Sequence, residues 1–191
     1  KKVKVDGAEF LFISRHGEHH EHIPSEINYR ANIFALKNMG VKAVVSFSAV
    51  GSLRKEFAPG DLVIPYQYID RTKSLRHHTF LGEGLVGHVS LAKPICEKMA
   101  ERALELLQVN KLTDHVNNQA SDQISGQISG QAHEKFKIHF GQTYVCIEGP
   151  YFSTQAESHT FRSIGAQIIG MTNFPEYALA REAGLCYLPC C

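Results

Sequence analysis

Apolar positions along the chain fall into short runs separated by turn residues, which cuts it into strand-length and helix-length pieces. Lys2–Val5 and Phe10–Ser14 read as short strands joined through Asp6-Gly7, a favoured hairpin turn pair. From Pro24-Ser25 the spacing changes. Ile27, Ala31, Phe34 and Ala35 recur at i, i+4, i+7 and i+8, which predicts an amphipathic helix that Gly40 ends. Val41–Ser48 is rich in β-branched residues and predicts a strand running into the small-residue turn Ser48-Ala49-Val50-Gly51-Ser52. Pro59-Gly60-Asp61 signals a turn, and Leu62–Ile69 a further strand. Asp70–Gly87 reads as a loop. Ser90 then caps a predicted helix ending near Gln108, with Pro94 in the first turn, where its missing N–H costs least.

In the second half, Val145, Cys146 and Ile147 form a short β-type run that stops at Gly149-Pro150. Ser153 and Thr154 open a helix, and Thr154-x-x-Glu157 has capping-box spacing. Gly165 closes that helix, and Ala166–Met171 reads as a buried strand. Thr172 and Asn173 stand where they can cap a last helix, with Pro175 in its first turn and Gly184 at its end. The closing L-C-Y-L-P-C-C is again strand-like. Strands alternating with helices predict a layered α/β fold, in which ligands sit beyond the carboxyl ends of strands. Between the halves, Thr113–Gln131 is polar and repeats I-S-G-Q; it reads as a mobile surface loop with no function assigned.

Composition narrows the function. A chain of 191 residues is expected to form one domain over 1–191 with a real core. Its 20 basic and 19 acidic residues leave a formal charge of +1, which argues against a nucleic-acid footprint. No apolar run approaches the roughly 20 residues that cross a membrane. The odd count of five cysteines, mostly in apolar runs, predicts reduced, buried thiols in a cytoplasmic protein. His16, His19, His20 and His22 lack the spacing and partners of a metal site. The chain opens on Lys1 and closes on a strand-like run, so a fragment of a longer protein is expected.

Candidate chemistry gathers where predicted strands end. Arg15-His16 suits an oxyanion, since a guanidinium fork matches phosphate oxygens and imidazole adds a donor; from this pair alone a surface Arg and a helix-packing His is the commoner outcome. Ser48-Ala49 offers a hydroxyl and backbone N–H groups, or is an ordinary turn. Thr172 offers a hydroxyl at a helix N-terminus, or simply caps it. Phe152 can lie flat on a purine or fill the core. Met171 suits an adaptable apolar floor under a sugar, or the core. Three anion-suited turns, each after a strand, favour one shared pocket. Ser25 and Ser153 lack a nucleophile-elbow sequence. His88 alone says nothing.

The chain resembles the trimeric branch of the 5′-methylthioadenosine phosphorylase and purine nucleoside phosphorylase family. The resemblance is carried by R-H-G-E-H-H from Arg15, N-Y-R-A-N-I-F-A-L-K from Asn28, S-A-V-G-S-L from Ser48, P-G-D-L-V-I from Pro59 and I-D-R-T from Ile69. E-G-P-Y-F-S-T-Q-A-E-S from Glu148 and G-M-T-N-F-P-E-Y-A-L-A-R-E-A-G from Gly170 complete it. R-H-G and I-D-R-T are similar to the methylthioadenosine subgroup. The resemblance implies a three-layer αβα sandwich with a mixed central sheet, no cofactor, and inorganic phosphate as co-substrate. It gives Arg15, His16, Ser48, Ala49 and Thr172 to phosphate, Phe152 to the base and Met171 to the ribose. His88 would reach a neighbouring subunit's pocket, so a homotrimer is implied. Tyr151 and Gln155 stand where family members usually carry arginines. A glycine-rich phosphate turn is expected before Lys1, and a purine-binding aspartate, the leaving-group acid, beyond Cys191. The implied activity is phosphorolysis of a purine nucleoside in purine salvage, with 5′-methylthioadenosine as substrate. A 6-oxopurine nucleoside, or a non-catalytic nucleoside or phosphate binder, remains open, while hydrolysis would make no use of three anion-binding turns.

Overall fold

A computed structural model describes residues 1–108 and 136–191. The polar stretch Thr113–Gln131 lies outside the described residues. The chain begins with a hairpin of β1 (Lys2–Val5) and β2 (Ala8–Leu11), antiparallel through Asp6-Gly7. The second strand starts earlier than its apolar run suggested, because the two-residue turn fixes Ala8 opposite Val5.

Helix α1 spans Tyr29–Asn38. The sequence placed its start at Pro24-Ser25, but those residues form turns, and Asn28 is the cap, its side chain accepting from the Ala31 N–H at 3.1 Å. Ile27 fits the helical spacing yet is buried from the turn, which is why periodicity overran the boundary. Helix α2 begins at 97, not after Ser90, and is described to 108. The Cys96 N–H instead donates to the Tyr187 carbonyl at 2.9 Å, tying the preceding segment to the sheet, and Pro94 lies ahead of the helix.

Helix α3 (Gln155–Ser163) has the predicted capping box: Thr154 Oγ1 accepts from the Glu157 amide, and Glu157 accepts from the Thr154 amide. Helix α4 (Asn173–Glu182) departs from expectation at its start. Phe174 is extended (φ −98°, ψ 134°), as a residue before proline prefers, so regular helix begins at Pro175. Neither Thr172 nor Asn173 caps it: Thr172 makes no capping bond, and the Asn173 side chain turns elsewhere.

The remaining strands are β3 (Ala43–Phe47), β4 (Gly51–Ser52), β5 (Leu62–Arg71), β6 (Ile138–Ile147), β7 (Ile168–Gly170) and β8 (Cys186–Cys190). The residues read as a turn at 51–52 pair with β7, and the run at Val145 is only the end of a ten-residue strand. β3 pairs parallel with β8; β5, β6 and β7 are parallel, and β4 runs antiparallel to β7. Val63 and Cys191 exchange two backbone hydrogen bonds, 2.7 and 2.9 Å, which joins the two sheets antiparallel. The resulting order is β3-β8-β5-β6-β7-β4, a mixed sheet as expected. Pro65 is accommodated at a register shift between β5 and β6.

Alternation along β6 divides the core into faces. Val145 packs with Phe161 of α3, Leu53 and Ala166. Tyr144 and Cys146 point the other way, toward Val63, Ile168 and Phe174. Helices α1, α2 and α4 bury Tyr29, Ile33, Ala100, Tyr177 and Leu179 with Ile64 and Leu188. Helices therefore cover both faces of the sheet. The cysteines only partly meet expectation. All five are free thiols and Cys146 is buried, but Cys186 at the start of β8 is exposed. Burial pushes the Cys146 thiol up to about 11.

Candidate functional site

The end of β3 and the start of α4 meet in a buried polar network. Arg15 Nε and one terminal nitrogen donate to the two oxygens of Glu176, at 2.7 and 2.8 Å. The same terminal nitrogen donates to Ser46 Oγ at 2.6 Å, and the other to the Phe47 carbonyl at 3.2 Å. Tyr187 Oη donates to Glu176 at 2.9 Å. Burial works against the Arg15 charge, but Glu176 outweighs it and holds the guanidinium more firmly protonated than a free one. The fork that residue type offered to an oxyanion thus grips Glu176. Four of the five guanidinium N–H groups are engaged, which leaves Arg15 a single donor for an anion.

His16 follows on the same turn. Its Nδ1 donates to the His22 carbonyl at 2.8 Å and its ring stacks on His20 at 4.3 Å. Nδ1 must carry the hydrogen, so in neutral imidazole Nε2 is an acceptor only. His16 can therefore donate to an anion through Nε2 only as imidazolium. Among the described residues no three His, Cys, Asp or Glu side chains converge as a metal cluster would. A cleft of about 1070 Å³ runs between the β1–β2 hairpin, α1 and β3, with Arg15, His16, Ser46 and Glu176 in its wall.

The Ser48 and Thr172 turns are brought together by Asn173, which is fully buried. Its Nδ2 donates to Ser48 Oγ at 3.1 Å, and its Oδ1 accepts from Tyr68 Oη at 2.8 Å. Ala49 follows Ser48 and is exposed. The Thr172 hydroxyl, not used as a cap, sits one residue from this bridge. Beneath it, Tyr144 Oη is buried and faces the Thr172 and Asn173 amides without closing a hydrogen bond.

The two strand-to-helix switches, the connection from β6 to α3 at 148–154 and that from β7 into α4 at 171–174, also touch. Gly149 (φ 74°) lies on the first, and a Cβ there would meet Met171 Sδ at 2.6 Å, so only glycine admits this approach. Met171 is half-buried. Phe152 is 90 % exposed beyond Gly149-Pro150, so it is not a core aromatic; Tyr151 beside it is exposed as well. His88 is exposed on the segment between β5 and α2 and hydrogen-bonds none of the other candidates among the described residues.

Sequence reasoning missed the groups that hold this arrangement: Glu176, Asn173 as a bridge, and Arg76 with Glu148. The available signal was a carboxylate on an otherwise apolar stretch, Pro175-Glu176-Tyr177-Ala178-Leu179-Ala180, since a buried charge needs a partner.

The model of the phosphorylase superfamily matches residues 3–191. The chain belongs to this superfamily. Within it, the chain is similar to S-methyl-5'-thioadenosine phosphorylase of Geobacter sulfurreducens, with 44 % identity over 183 residues, covering 96 % of this chain and 56 % of that protein. The Thermococcus kodakarensis protein of the same name is 47 % identical over 189 residues, covering 97 % of this chain and 62 % of its own length. A crystal structure of methylthioadenosine phosphorylase from an antarctic soil metagenomic library matches with a TM-score of 0.81 and 44 % identity, over 99 % of this chain and 58 % of that one. This superfamily member thus spans less than two thirds of each of these relatives. The resemblance read from its motifs holds, and so does the nucleoside phosphorylase-like α/β fold.

Proposed function

We propose that this chain supplies the phosphate, sugar and base contacts of a purine nucleoside phosphorylase acting on 5′-methylthioadenosine, yielding adenine and 5-methylthioribose 1-phosphate. The observation that carries the reading is the Asn173–Ser48 hydrogen bond, which sets the Ser48-Ala49 turn against Thr172 while Met171 touches the switch bearing Phe152. Phosphate would take the Ser48 and Thr172 hydroxyls, the nearby backbone amides including Ala49, the remaining Arg15 N–H, and His16 once protonated. Phe152 would lie on the purine, and Met171 under the ribose. As the glycosidic bond lengthens, its electron pair leaves with the purine and the sugar becomes cationic. The bound phosphate dianion stabilises that charge and attacks the anomeric carbon, and the purine takes a proton at N7. The relatives' names support this substrate. His88 would serve a neighbouring subunit in a homotrimer, and the enzyme would act in cytoplasmic purine salvage. No helix among the described residues is long and apolar enough to cross a membrane.

Chromatography of adenine released from methylthioadenosine with and without phosphate tests the reading. Turnover that requires phosphate is expected; phosphate-independent cleavage refutes it, and binding without turnover assigns a non-catalytic binder. Inosine in the same assay decides the base class. Thr172→Val should raise the KM for phosphate roughly tenfold or more, as loss of a hydrogen bond to a charged group predicts.

A further inference from the structure

Arg76 lies on the segment after β5, has no part in the proposed substrate contacts, and its side chain is 1 % exposed. Its Nε donates to Glu148 Oε1 at 2.8 Å and a terminal nitrogen to the Glu148 carbonyl at 2.8 Å. The other terminal nitrogen donates to the Met171 carbonyl at 2.6 Å and the Phe174 carbonyl at 2.5 Å, with Tyr29 Oη farther off at 3.4 Å. Glu148 uses its second oxygen to accept from the Lys73 amide at 2.7 Å. Glu148 opens the switch that bears Phe152. Met171 and Phe174 bracket the switch that bears Thr172.

We infer that Arg76 is a positioning residue that locks the two switches into one rigid unit and so sets the spacing between the base and phosphate subsites. This rests on the placement of Phe152, Met171 and Thr172 proposed above. The carbonyls it takes belong to irregular backbone, buried at Glu148 and part-buried at Met171 and Phe174, which must find donors. A guanidinium is planar and rigid, so one side chain fixes the positions of four oxygens on two segments at once. A lysine carries the charge but not the plane. Reacting groups misplaced by about 1 Å lose on the order of a hundredfold in rate, so a change in this spacing registers in turnover although Arg76 touches no reacting atom.

The test compares Arg76→Lys, Arg76→Met and the double variant Arg76→Met/Glu148→Gln with the unaltered chain. Arg76→Met alone leaves Glu148 buried without a counter-charge and is expected to unfold at lower urea. The double variant removes that charge, keeps an acceptor for the Lys73 amide, and is expected to recover most of the midpoint. In the double variant and in Arg76→Lys, KM for phosphate and for methylthioadenosine should both rise at least tenfold, with kcat falling as well. Amide exchange at 151–152 and 172–174 should quicken at least tenfold in both segments together. A stable double variant with unchanged KM values and unchanged exchange overturns the inference, as does quickening confined to one segment. If the unaltered chain neither binds nor turns over the nucleoside, the functional reading fails, and the exchange experiment still decides whether Arg76 couples the switches.

Discussion

Glu176 sits between Pro175 and Tyr177 with its carboxylate turned into the protein, where it neutralises Arg15. Removing it leaves a guanidinium in a site that is mostly closed to water. Glu176→Ala should therefore cost roughly 3 kcal/mol of stability, as breaking one side of a buried pair does, read as a lowered urea midpoint. Arg15→Met alongside it should restore much of that loss, because the stranded charge is then gone. Arg15, Ser48 and Thr172 stood out as candidates in the sequence because small or charged residues directly after β-type runs do. Their supports did not. Arg15 and Glu176 are 161 residues apart and Arg76 and Glu148 are 72 apart, and nothing local marks either pair. At Arg15 residue type gives the donors, but only the fold shows that Glu176, Ser46 and Phe47 occupy four of them.

Helix α3 is the element best anticipated, since a capping box is a local device written in four residues. Thr154→Ala removes the acceptor for the Glu157 amide and should lower stability by about 1 kcal/mol, measurable by denaturant unfolding. Thr154→Ser should be nearly silent. Helices α1 and α2 were placed but begun too early. Ile27 keeps helical spacing while lying in a turn, and the segment around Cys96 is claimed by β8 before helix can form. The start of α4 shows a different limit. Thr172 and Asn173 have the chemistry of caps, yet the residue before Pro175 is extended, which frees their side chains for other partners.

Across the whole molecule, alternation predicted strands, but strand order was invisible because pairing depends on contacts distant in sequence. Asp61 is one such long-range tie. It accepts from the Lys137 amide and from His139 Nε2, each at 2.8 Å, fastening the start of β5 to β6. The His139 hydrogen bond, helped by the Lys137 amide, lowers the Asp61 carboxyl from 3.8 to about 2. A carboxyl with a depressed folded-state value stabilises fully above its unfolded value and loses that contribution as pH falls through the folded one. The stability advantage over Asp61→Asn should thus hold above pH 3.8 and fade toward pH 2, in urea midpoints taken across that range.

The β3–β8 pairing has a temporal side. Ala43 finds its partner only in Cys186, and the Val63–Cys191 exchange that stitches the sheet comes later still. At about 5–20 residues per second of synthesis, β3 waits on the order of ten seconds for β8. During that interval Val44, Val45 and Phe47 present a bare apolar strand edge, the kind that pairs with other chains.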